Sequence, residues 1–258
     1  MTLELQDVSH RYITDRGEVV HAVAQTTLTI PEGQFVCVVG PSGCGKTTIL
    51  RVLAGFLEPT GGTASVDGAA ITAPSPERGV VFQQPNLYPW LTVRKNVELG
   101  MKFQGVNSRD RRTRGEEQLQ RVGLEQFADH RPYELSGGMQ QRAQIARVFA
   151  GDPSIILMDE PFGALDALTR EQLQNDLLAI ARERGKTIFF ITHSIDEAIL
   201  LADRVLVMSP RPGRMVSDVT IDISAQHGRM LTGAELRVSE EFREFRDIIG
   251  QAIINPPA

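Results

Sequence analysis

Eight consecutive residues, Gly40-Pro41-Ser42-Gly43-Cys44-Gly45-Lys46-Thr47, do most to limit what this chain can fold into. They match the pattern GxxxxGK[ST], and their flanks have the matching character. Gln34 to Val39 is a short apolar run rich in β-branched residues, which predicts a buried strand. Thr47-Thr48-Ile49-Leu50-Arg51-Val52-Leu53 predicts a helix. Between them the glycines at 40, 43 and 45 let the backbone turn so tightly that successive N–H groups face inward as an anion nest. The helix N-terminus adds its partial positive charge at the same place. The alternative is an ordinary glycine-rich turn, against which stands a match at every required position. Lys46 is expected to reach the β- and γ-phosphates of a nucleoside triphosphate, and the Thr47 hydroxyl to coordinate Mg²⁺.

A second site follows the same logic. Ser154 to Met158 is short and apolar, as a central parallel strand should be. Asp159 and Glu160 then emerge at its carboxyl end, where α/β sheets place ligands. Asp159 is expected to hold Mg²⁺ through water, and Glu160 to polarise the water that attacks the γ-phosphate. A helix cap or surface salt bridge is the other reading of such a pair, and the upstream phosphate loop disfavours it. Between the two sites lies Leu135-Ser136-Gly137-Gly138-Met139-Gln140-Gln141-Arg142. Taken alone, Ser136 to Gly138 could be a helix N-cap and a flexible turn.

Together these stretches make the chain resemble the nucleotide-binding subunit of an ABC transporter, from about residue 3 to about residue 215. Gln83, in Val80-Val81-Phe82-Gln83-Gln84-Pro85, stands at the Q-loop position; Gly163-Ala164-Leu165-Asp166 resembles the D-loop, and Thr192-His193 the H-loop switch. Tyr12 stands where the family places an aromatic that stacks on adenine, although an early tyrosine is about as often a packing residue. The resemblance implies a P-loop NTPase of α/β class: a mostly parallel sheet, an antiparallel β subdomain and a helical lobe. It implies ATP and Mg²⁺ as cofactors. Gly40 to Thr48 would hold the phosphates, and Thr47, Asp159 and Gln83 the metal. Glu160, His193 and Gln83 would be catalytic, with Gln83 binding Mg²⁺ or the attacking water and His193 touching the γ-phosphate. Two copies would stack head to tail, so that Ser136, Gly137 and Gly138 of one close over the phosphate loop of the other. Met139 departs from the family pattern, where glutamine is common, while Ser136 and both glycines are intact.

Composition is consistent with this. The chain has 258 residues, enough for one domain or a domain with a lobe, with 41% hydrophobic and 23% charged residues. A net charge of −5 argues against a nucleic-acid partner. Arg109, Arg111, Arg112 and Arg114 form a basic run, but Glu116 and Glu117 follow, so a solvated helix face is the better reading. Cys37 and Cys44 fall in a predicted buried strand and in the phosphate loop, and neither reads as a disulfide partner or metal ligand. The five histidines, at 10, 21, 130, 193 and 227, show no metal spacing. The N-terminal residues have no leader-like pattern, and no apolar run approaches the roughly 18 to 20 residues that span a bilayer. The expectation is therefore a peripheral protein on the cytoplasmic face of the cell membrane, working through a partner.

Along the chain, residues 3–33 carry β-like runs, and about 86–153 reads as a helical lobe. Residues 154–208 return to strand and helix, implying a mostly parallel sheet with helices on its faces. The division expected is a nucleotide-binding domain over 1–215 and a helical tail over 216–258, where Phe242, Phe245, Ile248, Ile249 and Ile253 have helical spacing. That helix is read as packing on its own core. Trp90, with Tyr88, Pro89 and Leu91, follows Gln83; it either faces a partner or packs inside the lobe.

Segments outside the catalytic motifs sharpen the resemblance. Pro74 to Gln83, Tyr88-Pro89-Trp90, Pro161 to Asp166 and Met208-Ser209-Pro210-Arg211-Pro212-Gly213-Arg214 look like the nitrate/sulfonate/taurine group of bacterial importers. In that group integral-membrane permease subunits and a separate extracytoplasmic substrate-binding protein are the partners. The substrate itself, a small anion or organic acid, is contacted by those other chains. An exporter half usually carries its own membrane spans, and a small-molecule kinase has no need of Leu135 to Arg142. A soluble, non-transport ABC ATPase is the alternative reading from another class.

Overall fold

The computed structural model describes residues 1–223 and 233–256. In chain order its strands are β1 (Leu3–Ile13), β2 (Val19–Ile30), β3 (Phe35–Val39), β4 (Gly61–Val66), β5 (Ala69–Ala70), β6 (Arg78–Val81), β7 (Ile155–Asp159), β8 (Thr187–Ile191), β9 (Arg204–Met208) and β10 (Met215–Thr220). Its α-helices are α1 (Lys46–Ala54), α2 (Val93–Phe103), α3 (Ser108–Arg121), α4 (Gly137–Ala150), α5 (Ala167–Arg184), α6 (Ile195–Leu201), α7 (Gly233–Val238) and α8 (Glu240–Ile254). They fall into two compact units, Met1–Pro74 with the chain from Arg184 onward, and Ser75–Glu183.

The first unit holds an antiparallel sheet in the order β2-β1-β4-β5. Leu3 faces Ile30 and Leu5 faces Leu28 across β1 and β2, and all four are buried. That alternation fixes the register, because a slip of one residue would turn the apolar set to solvent. β3 is different. All five of its residues are buried, and it lies between β8 and β9, parallel to both. A strand covered on both faces must be continuously apolar, which is why Phe35 to Val39 shows no alternation. The observed α/β class, with parallel β8-β3-β9 beside an antiparallel sheet, agrees with the expected one.

The expected helical tail needs a correction at its start. Met215–Thr220 is a strand, β10, pairing antiparallel with β9. Arg204 on β9 donates from Nε to Asp218 Oδ1 at 2.6 Å, locking the two strands. The boundary placed at 215 therefore falls within a hairpin. Part of the tail, 224–232 and 257–258, lies outside the described residues, as does His227. Beyond it α8 buries Phe242 and Ile249, contacts α6, and leaves Ile248 exposed.

The second unit pairs β6 with β7 in parallel, Val81 beside Met158. Gln83 and the Asp159-Glu160 pair therefore follow neighbouring strand ends. α2, α3 and α4 pack on one another around Val93, Val97, Met101, Leu119 and Ile145, all within the segment expected to be helical. The compact unit is larger than that segment, since β6, β7 and nearly all of α5 belong to it. Thr92, Asn107 and Ser136 cap the three helices, each side chain accepting a backbone N–H three residues on. The basic run lies on α3 with Arg109, Arg112 and Arg114 exposed, and Arg112 pairs with Glu116 at 3.0 Å. No helix among the described residues is long and apolar enough to cross a membrane.

Candidate functional site

In the first unit the phosphate loop joins β3 to α1. Gly43 and Gly45 have φ of +75° and +98°, in the left-handed region that costs a residue with a Cβ about 1–2 kcal/mol. Gly45 is also hemmed in: an added Cβ would lie 2.7 Å from the Ala22 carbonyl and 2.8 Å from Val23 Cγ2. Lys46 is buried, and its ammonium donates to the carbonyls of Gly40 at 2.8 Å and Pro41 at 3.1 Å. Those carbonyls meet the cost of burying the charge. Thr47 follows in the first turn of α1, half-buried.

Tyr12 lies at the far end of β1, one-third exposed, with its hydroxyl 3.2 Å from Thr48 Oγ1. The His10 and Tyr12 rings pack in a T-shaped arrangement with centroids 4.6 Å apart. Burial lowers the His10 pKa, partly offset by a hydrogen bond to the Glu58 backbone. His193 is exposed, just beyond β8. Its turn is fixed on both sides: Thr192 Oγ1 donates to the Glu197 carboxylate and accepts from Ser194 N–H, and Ser194 Oγ accepts from Glu197 N–H at 3.2 Å. Cys37 and Cys44 are buried free thiols, and burial pushes the Cys37 thiol well above its usual range.

In the second unit Asp159 ends β7 and is buried. Glu160 turns away from it with φ of +46°, a left-handed conformation in a residue that does not favour it. Strain of this kind clusters at functional sites. Gln83 Nε2 donates to Glu160 Oε2 at 2.9 Å, so two residues 77 apart in sequence meet as a pair. This contact orients the carboxylate and leaves the Gln83 amide oxygen as an acceptor.

Sequence reading missed the residues that hold Gln83 in place. The Phe82 carbonyl accepts from Gln141 Nε2 at 3.2 Å and from Gln144 Nε2 at 2.8 Å. The Gln144 Oε1 in turn accepts from Asn86 N–H at 3.2 Å. Both glutamines are fully buried on α4. The signal was there: long polar side chains on a helix face that should be apolar.

Ser136 caps α4, accepting from Met139 N–H at 3.3 Å. A Cβ on Gly137 would meet nothing, whereas one on Gly138 would come to 3.3 Å from the Ala164 carbonyl. The segment containing Ala164 is held by Arg170, which donates to the carbonyls of Leu165 at 2.8 Å and Phe162 at 3.3 Å. Asp166 accepts from Thr169 N–H at 3.0 Å, and that bond holds its carboxyl below the usual range. Trp90 is 68% exposed, tilted against Tyr88, so it does not pack inside the lobe.

Known proteins are similar to this chain in sequence and fold. The family model described as "ABC transporter" matches residues 23–163. A taurine import ATP-binding protein, TauB, of Rhizobium johnstonii is 48% identical over 96% of this chain and 94% of its own length. An uncharacterized ABC transporter ATP-binding protein of Methanocaldococcus jannaschii is 49% identical over 89% of this chain and 83% of its own. A solved dimeric ATP-binding cassette in a post-hydrolysis state, bound to ADP and Pi, superimposes with a TM-score of 0.78 at 35% identity, covering 85% of this chain and 98% of that one. The chain belongs to the ABC transporter family.

Proposed function

We propose that this chain is the ATP-hydrolysing subunit of an ABC importer that takes up a small organic anion of the taurine, sulfonate or nitrate type. The observation that carries the catalytic reading is the Gln83–Glu160 hydrogen bond, which holds a carboxylate in a strained turn directly after the buried Asp159. In this reading Lys46 and the amides of Gly40 to Thr48 bind the phosphates, and Tyr12 stacks on the base. Glu160 takes a proton from the attacking water, and His193 contacts the γ-phosphate. The hydroxyl of Thr47, the amide oxygen of Gln83 and the carboxylate of Asp159 are hard oxygen donors that suit Mg²⁺. When bound, the metal neutralises charge on the β- and γ-phosphates.

The importer reading is supported by the name of the TauB relative from Rhizobium johnstonii, which matches along nearly its whole length. The dimeric cassette structures support a working dimer, in which Ser136, Gly137 and Gly138 of one copy close on the phosphate loop of the other. Permease subunits, an extracytoplasmic binding protein, and a peripheral place on the cytoplasmic face complete the reading. The exposed Trp90 fits a surface that a permease covers.

The test is ATP turnover by the purified protein and its Glu160→Gln variant. Loss of a general base should lower kcat by about 10²- to 10⁴-fold, while ATP still binds and the variant accumulates as a dimer. Near-normal turnover by the variant would remove Glu160 from this role.

A further inference from the structure

The segment Ser209-Pro210-Arg211-Pro212-Gly213-Arg214, so far only a mark of resemblance, joins β9 to β10 and lies against the phosphate loop. Gly213 is stitched to β2: its N–H donates to the Ala22 carbonyl at 3.1 Å, and its carbonyl accepts from Ala24 N–H at 2.9 Å. An added Cβ there would fall 1.8 Å from the Cys44 carbonyl oxygen, so no residue but glycine fits without movement. At the loop's start, a Cβ on Gly40 would lie 2.7 Å from the Met208 carbonyl. Arg211 closes the arrangement, its Nε donating to the Gly43 carbonyl at 3.3 Å. The turn that presents Arg211 is itself held by Ser209, whose Oγ accepts from Arg214 N–H at 3.1 Å.

We propose that Arg211 is a positioning residue for the phosphates of the bound nucleotide, acting through the peptide unit between Gly43 and Cys44. The inference rests on the reading that this loop holds ATP. A donor on the Gly43 carbonyl polarises the Cys44 N–H on the other side of the same peptide, and that N–H donates to the Pro41 carbonyl at 3.4 Å, which also accepts from the Lys46 ammonium. Hydrogen bonds in a chain strengthen one another in this way, and an ionised donor does so more than a neutral one. The guanidinium also adds positive charge beside the nest. Arg211 is exposed, so solvent screens that charge and the effect is moderate.

The experiment uses the full chain and a fluorescent ATP analogue, comparing wild type, Arg211→Gln and Arg211→Lys, with the melting temperature of each measured without nucleotide. Arg211→Gln should weaken binding by about 3- to 10-fold, with kcat at saturation within about twofold and the nucleotide-free melting temperature within about 2 °C. Arg211→Lys should recover most of the affinity. Unchanged affinity in Arg211→Gln, with a wild type that binds, overturns the role of Arg211 alone. A loss of affinity that only follows a fall in melting temperature, equal in both variants, overturns it in favour of a purely structural role. A wild type that does not bind the analogue overturns the nucleotide reading as well.

Discussion

In the first unit the phosphate loop is held by backbone geometry, whereas in the second the segment around Gln83 is held by side chains. Gly43 and Gly45 take conformations that strain other residues, and the walls of the loop are the backbones of Ala22, Met208 and Gly213. Around Gln83 the fixed points are two buried glutamine amides, and Gln83 itself is exposed. The first design gives a rigid cradle for an anion. The second lets a loop be re-aimed by exchanging a few hydrogen bonds, which suits a segment that carries both Gln83 and the exposed Trp90.

The comparison can be broken most severely at Gly45. Gly45→Ala meets both a left-handed φ and two contacts under 3 Å. It should cost about 2–3 kcal/mol, lower the thermal midpoint by about 5 °C or more, and abolish tight ATP binding. A variant that melts and binds like wild type would show that the cradle is not rigid.

Gln144→Leu attacks the other design. It removes the Gln144 donor from the Phe82 carbonyl and the Gln144 acceptor from the Asn86 N–H. The expected cost is about 1–2 kcal/mol, with turnover reduced severalfold and ATP affinity near wild type, measured by calorimetry and a phosphate-release assay. Equal loss of affinity and turnover would erase the distinction between the two regions.

Trp90→Ala sharpens it further. Truncating an exposed side chain should change the stability of the isolated subunit by no more than about 0.5 kcal/mol. Binding to the permease should weaken by about fivefold or more, and ATP affinity should hold. A parallel loss of nucleotide binding would contradict a docking role.

These outcomes also measure how much was legible in the sequence. The phosphate loop could be read because its glycines, lysine and hydroxyl are contiguous and flanked by a strand and a helix. Asp159 and Glu160 were legible for the same reason. The supports were legible only in part: Gln141 and Gln144 stand out as polar residues on a buried helix face, but their partner Phe82 lies 59 and 62 residues away, and Arg211 reaches Gly43 across 168. A linear pattern carries no record of such pairings. The strand character of Met215 to Thr220 was hidden because it has no run of apolar residues and is stabilised by pairing with β9 and by the Arg204–Asp218 contact. The exposure of Trp90 depends on which surfaces the helices leave uncovered, which spacing alone leaves open.

The smallest effect concerns His10. Burial holds its folded pKa below the ordinary value of 6.5, so as pH falls the unfolded chain takes up the proton first. The stability this group contributes is present above pH about 6.5 and is lost as pH falls toward the folded value. His10→Phe keeps an aromatic ring against Tyr12 and removes the titration. Its melting temperature should fall less than that of wild type between pH 7.5 and 5.5. Identical pH profiles would show that His10 does not titrate differently on folding.

The central claim is that this ATPase serves a membrane transporter. Affinity purification of the subunit from detergent-solubilised native membranes, with partners identified by mass spectrometry, tests it directly. The account predicts recovery of a multi-spanning permease in stoichiometric amount. Recovery of only ribosomal or DNA-bound partners would contradict it, leaving the nucleotide chemistry intact and its purpose misread.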